Sequence, residues 1–261
     1  MIYIQMMGGL ANQIWQLVSA LHVVGPNHID DVICDTSWLE AHRSGGITPR
    51  EFELGHIGFN STNTPPPDLP LEQWEQAPTP YDRTKDYRMQ GYFQDLKWWD
   101  PWIRDELRRR FEIKDEVTQP AIAMHVRRGD YVTNPSATAW HGVMDVDYYV
   151  RALLLAKADV PDIRYVFIYS DDLDWCEKTL IPELHKATGN APRCFISNGF
   201  DHFGDLRMMA QDHYHIIGNS TFAWLGAYLS NTTRGVIYPK AWLTHNKPAP
   251  PIFPATWTQL A

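Results

Sequence analysis

Two adjacent arginines follow a strongly apolar stretch in the middle of the chain. Ala121–Val126 reads AIAMHV and is followed by Arg127, Arg128 and Gly129. A guanidinium group is planar, permanently charged and rich in N–H donors, so a pair of them suits a phosphate or a diphosphate. Glycine lets the backbone turn closely around such a ligand. Asp130 could serve as a catalytic base or orient one arginine, and a purely structural ion pair with either arginine is the alternative.

Two further polar loops also follow apolar stretches. Asp171 and Asp172 come after YVFIYS, where carboxylates could accept hydrogen bonds from a nucleobase, bind a metal or cap the next helix. Asn219, Ser220 and Thr221 come after HIIG and begin a predicted helix, whose first N–H groups attract phosphate. Capping without a ligand is the alternative at both loops. Open α/β sheets bind ligands at the carboxyl ends of their strands, where all three loops are expected to lie.

The chain opens with a fourth candidate loop. MIYIQMM runs into Gly8 and Gly9, and a helical pattern then begins at Asn12. This order of strand, glycine turn and helix is the first half of a βαβ unit. Because the turn is not G-x-G-x-x-G and no G-x-x-x-x-G-K-[ST] occurs, a nicotinamide dehydrogenase and a P-loop NTPase are disfavoured. Asp145 and Asp147 form a D-x-D pattern, which we interpret as a helix N-cap region.

An alternating pattern of strands and helices must position these loops. From residue 121 onward it predicts parallel α/β structure, with strands at 121–126, 165–169, 193–196, 215–217 and 235–238 and helices at 148–158, 174–180, 206–212 and 222–229. The chain begins with strands at 2–6 and 32–34 and a helix at 12–24. Between residues 37 and 115 the alternation is weaker, with a helix at 103–111 and a proline-rich segment at 64–80 predicted to be an irregular loop without a sheet role. We therefore predict an N-terminal lobe at 1–117, a second lobe at 118–240, and a C-terminal segment at 241–261 that packs on the N-terminal lobe.

Composition limits the possible partners. The 261 residues carry 23 Lys and Arg against 31 Asp and Glu, a net charge of −8, which argues against nucleic acid as a partner. Any bound anion must therefore meet a local cluster of positive charge. Three scattered cysteines indicate neither a disulfide framework nor a zinc site, and no long apolar run predicts a transmembrane segment. The expected location is the cytoplasm, including the cytoplasmic surface of a membrane.

A series of short motifs resembles glycosyltransferase family 11, the α1,2-fucosyltransferases. The series is GGLANQIWQ, TPREFEL, QGYFQD, HVRRGDY, GNSTFAWLGAYL and VIYPKAW, and it extends over nearly the whole chain. Two positions depart from the usual family pattern, Ala11 in the opening motif and Leu225 within Trp224-Leu225-Gly226. The resemblance implies a GT-B-like fold, with two Rossmann-type lobes and the active site in the cleft between them. The N-terminal lobe would face the acceptor, and the second lobe would bind the GDP-sugar.

The resemblance also implies a chemistry. It is inverting transfer of L-fucose from GDP-fucose to a glycan hydroxyl, in an α1,2 linkage to a galactoside, without a metal or other cofactor. Arg127 and Arg128 would neutralise the departing diphosphate. The other implied donor-binding residues are His125 and Asp172 toward guanine, Ser220 and Thr221 toward phosphate, Gly8, Gly9 and Asn12 from the other lobe, and also Asp171 and Asn219. The alternatives are another nucleotide sugar, a protein acceptor, or a sugar- or nucleotide-binding module without turnover; the sequence does not indicate an oligomeric state.

Overall fold

Two parallel β-sheets, one in each half of the chain, organise the protein. The computed structural model describes residues 1–43, 50–65, 69, 71–72, 81–115, 120–244 and 247–261. They divide into two compact units, Met1–Phe111 and Glu112–Ala261. The division follows the end of a helix at Arg110, a few residues before the predicted boundary at 117/118.

The first unit contains five strands in the order β3-β2-β1-β5-β4, all parallel. Its elements are β1 (Ile2–Gln5), α1 (Leu10–Val24), β2 (Val32–Asp35), α2 (Ser37–Ala41), β3 (Ser61–Thr62), β4 (Leu71–Glu72), β5 (Tyr87–Met89) and α3 (Pro101–Arg110), with 3₁₀ turns at Pro26–Asp31, Leu54–Ile57 and Leu96–Trp98. Helix α1 buries Ile14, Leu17 and Leu21, which recur at helical spacing, and this explains why its existence was readable from the sequence.

The proline-rich segment 64–80 departs from its prediction at one point. Leu71 and Glu72 form β4 and pair with Arg88 and Met89 of β5. A proline removes only the hydrogen bond of its own nitrogen, and neither paired residue is a proline. Residues 66–68, 70 and 73–80 of the segment lie outside the described residues.

The second unit contains six strands in the order β11-β10-β9-β6-β7-β8, again all parallel. Its elements are β6 (Ala121–Val126), α4 (Gly129–Thr133), α5 (Pro135–His141), α6 (Val146–Asp159), β7 (Tyr165–Ser170), α7 (Leu173–Trp175), a π-helical turn (Cys176–Leu180), α8 (Ile181–Thr188), β8 (Arg193–Ile196), α9 (His202–Met209), β9 (Tyr214–Ile217), α10 (Thr221–Leu229), β10 (Gly235–Pro239) and β11 (Thr258–Leu260). Every residue of β6 is buried, as expected for a central strand of a parallel sheet.

Helix α6 supplies much of the second core. Tyr149 and Leu153 pack with Met124 of β6 and Ile168 of β7 in one buried cluster. Asp145 caps this helix, since its Oδ1 accepts a hydrogen bond from the Tyr148 N–H at 2.8 Å. The interpretation of Asp145 as an N-cap residue is therefore confirmed.

The C-terminal segment belongs to the second unit, which ends at Ala261. The packing of residues 241–261 on the N-terminal lobe stays a prediction. Strand β11 pairs with β10, from Ile237 opposite Thr258 to Pro239 opposite Leu260. The Trp224 indole N–H also donates to the Ile252 carbonyl at 2.7 Å, which ties the segment to α10. Hydrogen bonds to an open sheet edge and to a buried indole thus fix this tail.

The α/β class and the two Rossmann-type lobes are confirmed, because each unit contains a parallel sheet connected through helices. The position of an active site between the lobes stays a prediction. Among the described residues, no helix is both long enough and apolar enough to cross a bilayer.

Candidate functional site

The ends of three neighbouring strands bring the predicted loops of the second unit together. Strand β6 lies between β9 and β7, with His125 opposite Ile217 and Val126 opposite Ser170. The Gly218 N–H donates to the His125 carbonyl at 3.2 Å and joins the first residues beyond β9 to β6. A Cβ at Gly218 would lie 3.1 Å from the Tyr149 hydroxyl, so this crossing is tight. The arginine, aspartate and Asn-Ser-Thr loops therefore adjoin, as the sequence predicted.

Arg127 bridges two of the loops. One terminal nitrogen lies 2.5 Å from Asp130 Oδ1 and the other lies 2.7 Å from Asp171 Oδ2. The predicted ion-pair alternative for Asp130 is thus present in the structure. Because both terminal nitrogens hold carboxylates, Arg127 is fixed in position before any ligand arrives.

Arg128 is held differently. Its Nε donates to Asp172 Oδ2 at 2.9 Å, and its guanidinium carbon lies 4.0 Å from the centroid of the Trp175 ring. Within the described part of the chain, neither terminal nitrogen of Arg128 has a hydrogen-bond partner. Two contacts therefore orient this guanidinium while its terminal N–H groups keep their donor capacity for an anion.

The two aspartates after β7 have distinct tasks. Asp172 caps α7, because its Oδ1 accepts from the Trp175 N–H at 3.2 Å. Asp171 instead accepts from the backbone N–H groups of Arg128 at 2.7 Å and Gly129 at 3.0 Å. A Cβ at Gly129 would lie 2.5 Å from Asp171 Oδ2, so the turn needs glycine on steric grounds. Capping explains one carboxylate, and backbone binding explains the other.

His125 lies buried at the end of β6. Only 7% of the residue is exposed, and its Nδ1 is a buried nitrogen without a hydrogen-bond partner among the described residues. Burial lowers the pKa of His125 to about 4; Arg127 acts in the same direction, and Asp171 opposes it. The imidazole is therefore neutral at pH 7. A buried, unpaired ring nitrogen at a strand end fits a ligand contact.

Ser220 is the N-cap residue of α10, but its hydroxyl makes no capping hydrogen bond. The capping alternative thus does not account for Ser220. Its backbone N–H donates to the Gly218 carbonyl at 2.8 Å. The positive end of the helix dipole at Ser220 and Thr221 is consequently not covered by the serine side chain, and such an end attracts phosphate.

Asn219 points toward neighbouring backbone. Its Nδ2 donates to the His141 carbonyl at 2.8 Å and reaches the Trp242 carbonyl at 3.5 Å. Its Oδ1 is buried and unpaired among the described residues. Asn219 therefore links the loop after β9 to α5, and its predicted donor contact stays a prediction.

The first unit carries the remaining predicted residues. Gly8 has φ of +74°, and a Cβ there would lie 2.6 Å from Asn12 Nδ2. Asn12 Oδ1 accepts from Gln94 Nε2 at 3.1 Å, which joins the turn after β1 to the segment after β5. Gly9 is the N-cap residue of α1 and offers no side-chain cap. This turn too leaves a helix N-terminus without a capping side chain.

Two buried glutamines on α1 fix that turn, and sequence reasoning missed both. Gln13 Nε2 donates to the Gly8 carbonyl at 3.0 Å and to the Glu51 carbonyl at 2.7 Å, and its Oε1 accepts from the Glu53 N–H at 3.0 Å. Gln16 binds both the N–H and the carbonyl of Met7. Polar residues at buried helix positions were the available signal.

Sequence reasoning also missed α4 and α5, which follow the arginines. The available signal was Asn134-Pro135, since asparagine is a strong N-cap and proline favours the first helical position. Asn134 Oδ1 indeed accepts from the N–H groups of Ser136 and Ala137. Helix α5 brings the His141 ring onto the Tyr131 ring, with centroids 4.4 Å apart and planes 3° from parallel.

In the described ranges, no group of three or more His, Cys, Asp and Glu side chains is arranged to hold a metal ion. Metal independence itself stays a prediction. The site is thus a cluster of two guanidiniums, three carboxylates and a neutral imidazole at the carboxyl edge of a parallel sheet. Such an edge, with oriented N–H donors, is typical of α/β enzymes that bind nucleotides and phosphates.

The sequence was compared with models of known protein families. The family model of glycosyl transferase family 11 matches residues 61–260. The chain belongs to this family, and the resemblance seen in the motifs is confirmed. The matched range includes every predicted site residue of the second unit.

Curated relatives are of moderate similarity. The O-antigen biosynthesis glycosyltransferase WbnK of Escherichia coli is 30% identical over 177 residues, which cover 61% of this chain and 56% of the relative. An alpha-1,2-colitosyltransferase of Escherichia coli is 34% identical over 47% of this chain and 41% of its own. The galactoside 2-alpha-L-fucosyltransferase Sec1 of Mus musculus is 27% identical over 49% and 38%. The chain thus spans about half the length of the curated relatives it matches.

Among solved structures, POFUT1 in complex with GDP is similar with a TM-score of 0.48 and 12% identity, covering 91% of this chain and 97% of that one.

Proposed function

We propose that this protein transfers L-fucose from GDP-fucose to a hydroxyl group of a galactoside, forming an α1,2 linkage with inversion and without a metal. Membership of glycosyl transferase family 11 supports the reaction class. The names of two relatives, the mouse Sec1 protein and the galactoside alpha-(1,2)-fucosyltransferase 2 of Oryctolagus cuniculus (26% identical), support the linkage and the acceptor class. The cytoplasmic location remains a prediction.

The arrangement of Arg128 is the observation that carries the proposal. Asp172 and Trp175 hold the guanidinium from two sides, and its terminal nitrogens have no partner among the described residues. Preorganised donors stabilise charge that develops in a transition state, because no reorganisation is needed when the charge appears. A diphosphate leaving group develops such charge, and in this proposal Arg128 supplies donors to it.

The chemical step follows from that leaving group. The acceptor hydroxyl oxygen forms a bond to the anomeric carbon on the face opposite the diphosphate. The bond from that carbon to the phosphate oxygen breaks, and its electron pair leaves with GDP. The transition state resembles an oxocarbenium ion, as in other glycosyl transfer. In this scheme Arg127 and Arg128 neutralise the phosphate oxygens, and Asp130 and Asp171 keep Arg127 in position.

The other predicted residues take positions around the nucleotide. The neutral imidazole of His125 and the carboxylate of Asp172 face guanine, and Asp171 contributes to donor binding by holding the arginine loop. The N-terminus of α10 at Ser220 and Thr221 binds phosphate, with Asn219 bracing this loop. From the first lobe, Gly8, Gly9 and Asn12 approach the sugar and phosphates. Support comes from the unpaired Nδ1 of His125 and the uncapped helix at Ser220.

A second candidate differs only in the sugar. The 34% identical relative is named an alpha-1,2-colitosyltransferase, which shows that a similar chain can be assigned a different donor sugar. The proposed arginine contacts serve different GDP-sugars equally, because in this scheme the guanidiniums bind phosphate rather than the sugar ring.

A donor panel tests the proposal. GDP-fucose, GDP-mannose and UDP-galactose are each incubated with the protein and EDTA, with and without a β-galactoside, and nucleotide release is measured. We expect release of GDP from GDP-fucose only, stimulated by the galactoside. Turnover of another donor would replace the sugar assignment, and binding of GDP without any turnover would favour a binding module.

A further inference from the structure

A histidine that no sequence motif indicated lies beside the arginine loop. His141 is the last residue of α5, which ends at Gly142 with φ of +72°. Its ring stacks on Tyr131 at 4.4 Å, and the guanidinium carbon of Arg127 lies 5.2 Å from the centroid of that tyrosine ring. Its carbonyl accepts from Asn219 Nδ2. The imidazole is therefore fixed at the edge of the site by its helix, a ring stack and a backbone hydrogen bond.

The transfer reaction needs a group that takes up the acceptor's proton. Asp130 is the candidate base that lies nearest in the motif, with orientation of an arginine as its alternative task, and its Oδ1 lies 2.5 Å from a terminal nitrogen of Arg127. That oxygen is therefore occupied by the ion pair and is not directed at an acceptor hydroxyl. Among the described residues, neither ring nitrogen of His141 has a hydrogen-bond partner, and the side chain is only half-buried.

The charges around His141 suit a base. Asp130 and Arg127 face it from the arginine loop, and the first favours the protonated ring while the second disfavours it. Burial is the larger effect and lowers the pKa of His141 below its ordinary value of 6.5. Lys247 lies over the neighbouring Trp140 ring, at 3.2 Å from its centroid. The ring is thus neutral at pH 7, the form that accepts a proton.

We infer that His141 is the general base of the transfer reaction, an inference that rests on the proposed function. As the acceptor oxygen bonds to the anomeric carbon, its proton moves to an imidazole nitrogen of His141. The electron pair of the broken carbon–oxygen bond leaves with GDP, and the imidazolium then returns the proton to water. Asp130 stabilises the imidazolium electrostatically, which gives this aspartate a task besides orienting Arg127.

The exposed indole of Trp140, next to His141 on α5, supports the same placement. Half of this residue is exposed, at 51%, and the Lys247 ammonium group lies over one face of its ring. Aromatic faces pack well against the apolar faces of sugar rings. An acceptor sugar resting near Trp140 would bring its hydroxyl toward His141.

The test compares pH profiles of kcat with saturating GDP-fucose and a β-galactoside. Wild-type kcat should rise with pH and level off above an apparent pKa below 6.5. His141→Asn and His141→Gln should each lower kcat about 100-fold and remove that rise, since general base catalysis contributes roughly 10²–10⁴-fold. The KM for GDP-fucose and the Kd for GDP should stay within about twofold of wild type. Added imidazole should partly restore the kcat of His141→Ala.

His185→Asn is the matched control, because it removes an imidazole from α8 in the same unit, and it should behave as wild type. A wild-type kcat that does not fall at acidic pH, so that the profile lacks this acidic limb, would overturn the inference. Variants of His141 with wild-type kcat and profile would do the same, as would an Asp130→Asn variant that alone abolishes the limb. If the wild-type protein turns over no donor, the proposed function itself is contradicted. This result is distinct from one in which the wild type is active and only the role of His141 fails.

Discussion

The turn after β1 and the loop after β6 occupy equivalent places in their sheets, yet different forces hold them. The first is neutral: Gln13 and Gln16 bind backbone groups of residues 7, 8, 51 and 53. The second is ionic: Arg127 and Arg128 bind carboxylates that also bind the loop backbone or cap a helix. Neutral hydrogen bonds fix a loop independently of salt and pH, whereas ion pairs fix a loop and also keep charge available for a ligand.

Removal of Arg128 should give the largest effect, because it takes away one of the two guanidinium groups of the ionic loop after β6. Arg128→Ala should lower kcat/KM for GDP-fucose about 1000-fold, which corresponds to about 4 kcal/mol of lost transition-state stabilisation. Arg128→Lys should recover only a small part, since an ammonium group cannot reproduce the planar donor geometry. Arg234→Ala, at an exposed arginine of the same unit, serves as the control and should retain wild-type rates. An Arg128→Ala variant with near wild-type transfer would refute the assignment.

Gln13→Leu tests the neutral side of the comparison. Three hydrogen bonds are lost at a fully buried position, so the free energy of unfolding should fall by about 3 kcal/mol. Urea titration measures this loss, which should be the same at low and high salt. Gln259→Leu, on the exposed face of β11, should change stability by less than about 0.5 kcal/mol. A strongly salt-dependent loss for Gln13→Leu would contradict a neutral turn.

The pH dependence of stability should separate the two loops further. His125 has a pKa of about 4 in the folded protein and 6.5 when unfolded, so its contribution to stability is complete above pH 6.5 and is lost as the pH falls toward 4. His125→Leu should therefore reduce the loss of unfolding free energy between pH 7 and pH 4.5 by about 2 kcal/mol. Gln13→Leu, which changes no ionisable group, should keep the wild-type pH slope. Equal slopes for wild type and His125→Leu would exclude the buried neutral imidazole.

Salt should produce the smallest effect. Raising NaCl from 50 to 500 mM should weaken GDP binding roughly threefold to tenfold, because the Arg128 guanidinium is only partly shielded from solvent. Calorimetric titration measures the change in Kd. Arg128→Gln should show a flatter dependence on salt. If the slope were the same in both proteins, Arg128 would not be the group that meets the phosphates.

Buried apolar runs made much of the second unit predictable. Strand β6 was predicted at 121–126 and forms there, because six consecutive buried residues leave little ambiguity. Helix α9 begins at His202 rather than at 206, since its start depends on the Asp201 cap on Gly204 and not on hydrophobic spacing. The pairing of Arg127 with Asp171 could not be predicted, because it joins residues 44 positions apart that only the sheet order brings together. His141 was missed because α5, which brings its ring onto Tyr131, was itself missed.

Gly129 and Asp171 finally show how two distant positions constrain each other's evolution. Any side chain at 129 would meet the carboxylate at 171, and any shortening at 171 would leave the backbone N–H groups at 128 and 129 without their acceptor. A substitution at either position therefore requires a compensating substitution at the other. In a combinatorial library, the number of functional residue pairs at 129 and 171 should therefore be small. It should be far below the number of residue types tolerated at one position multiplied by the number tolerated at the other.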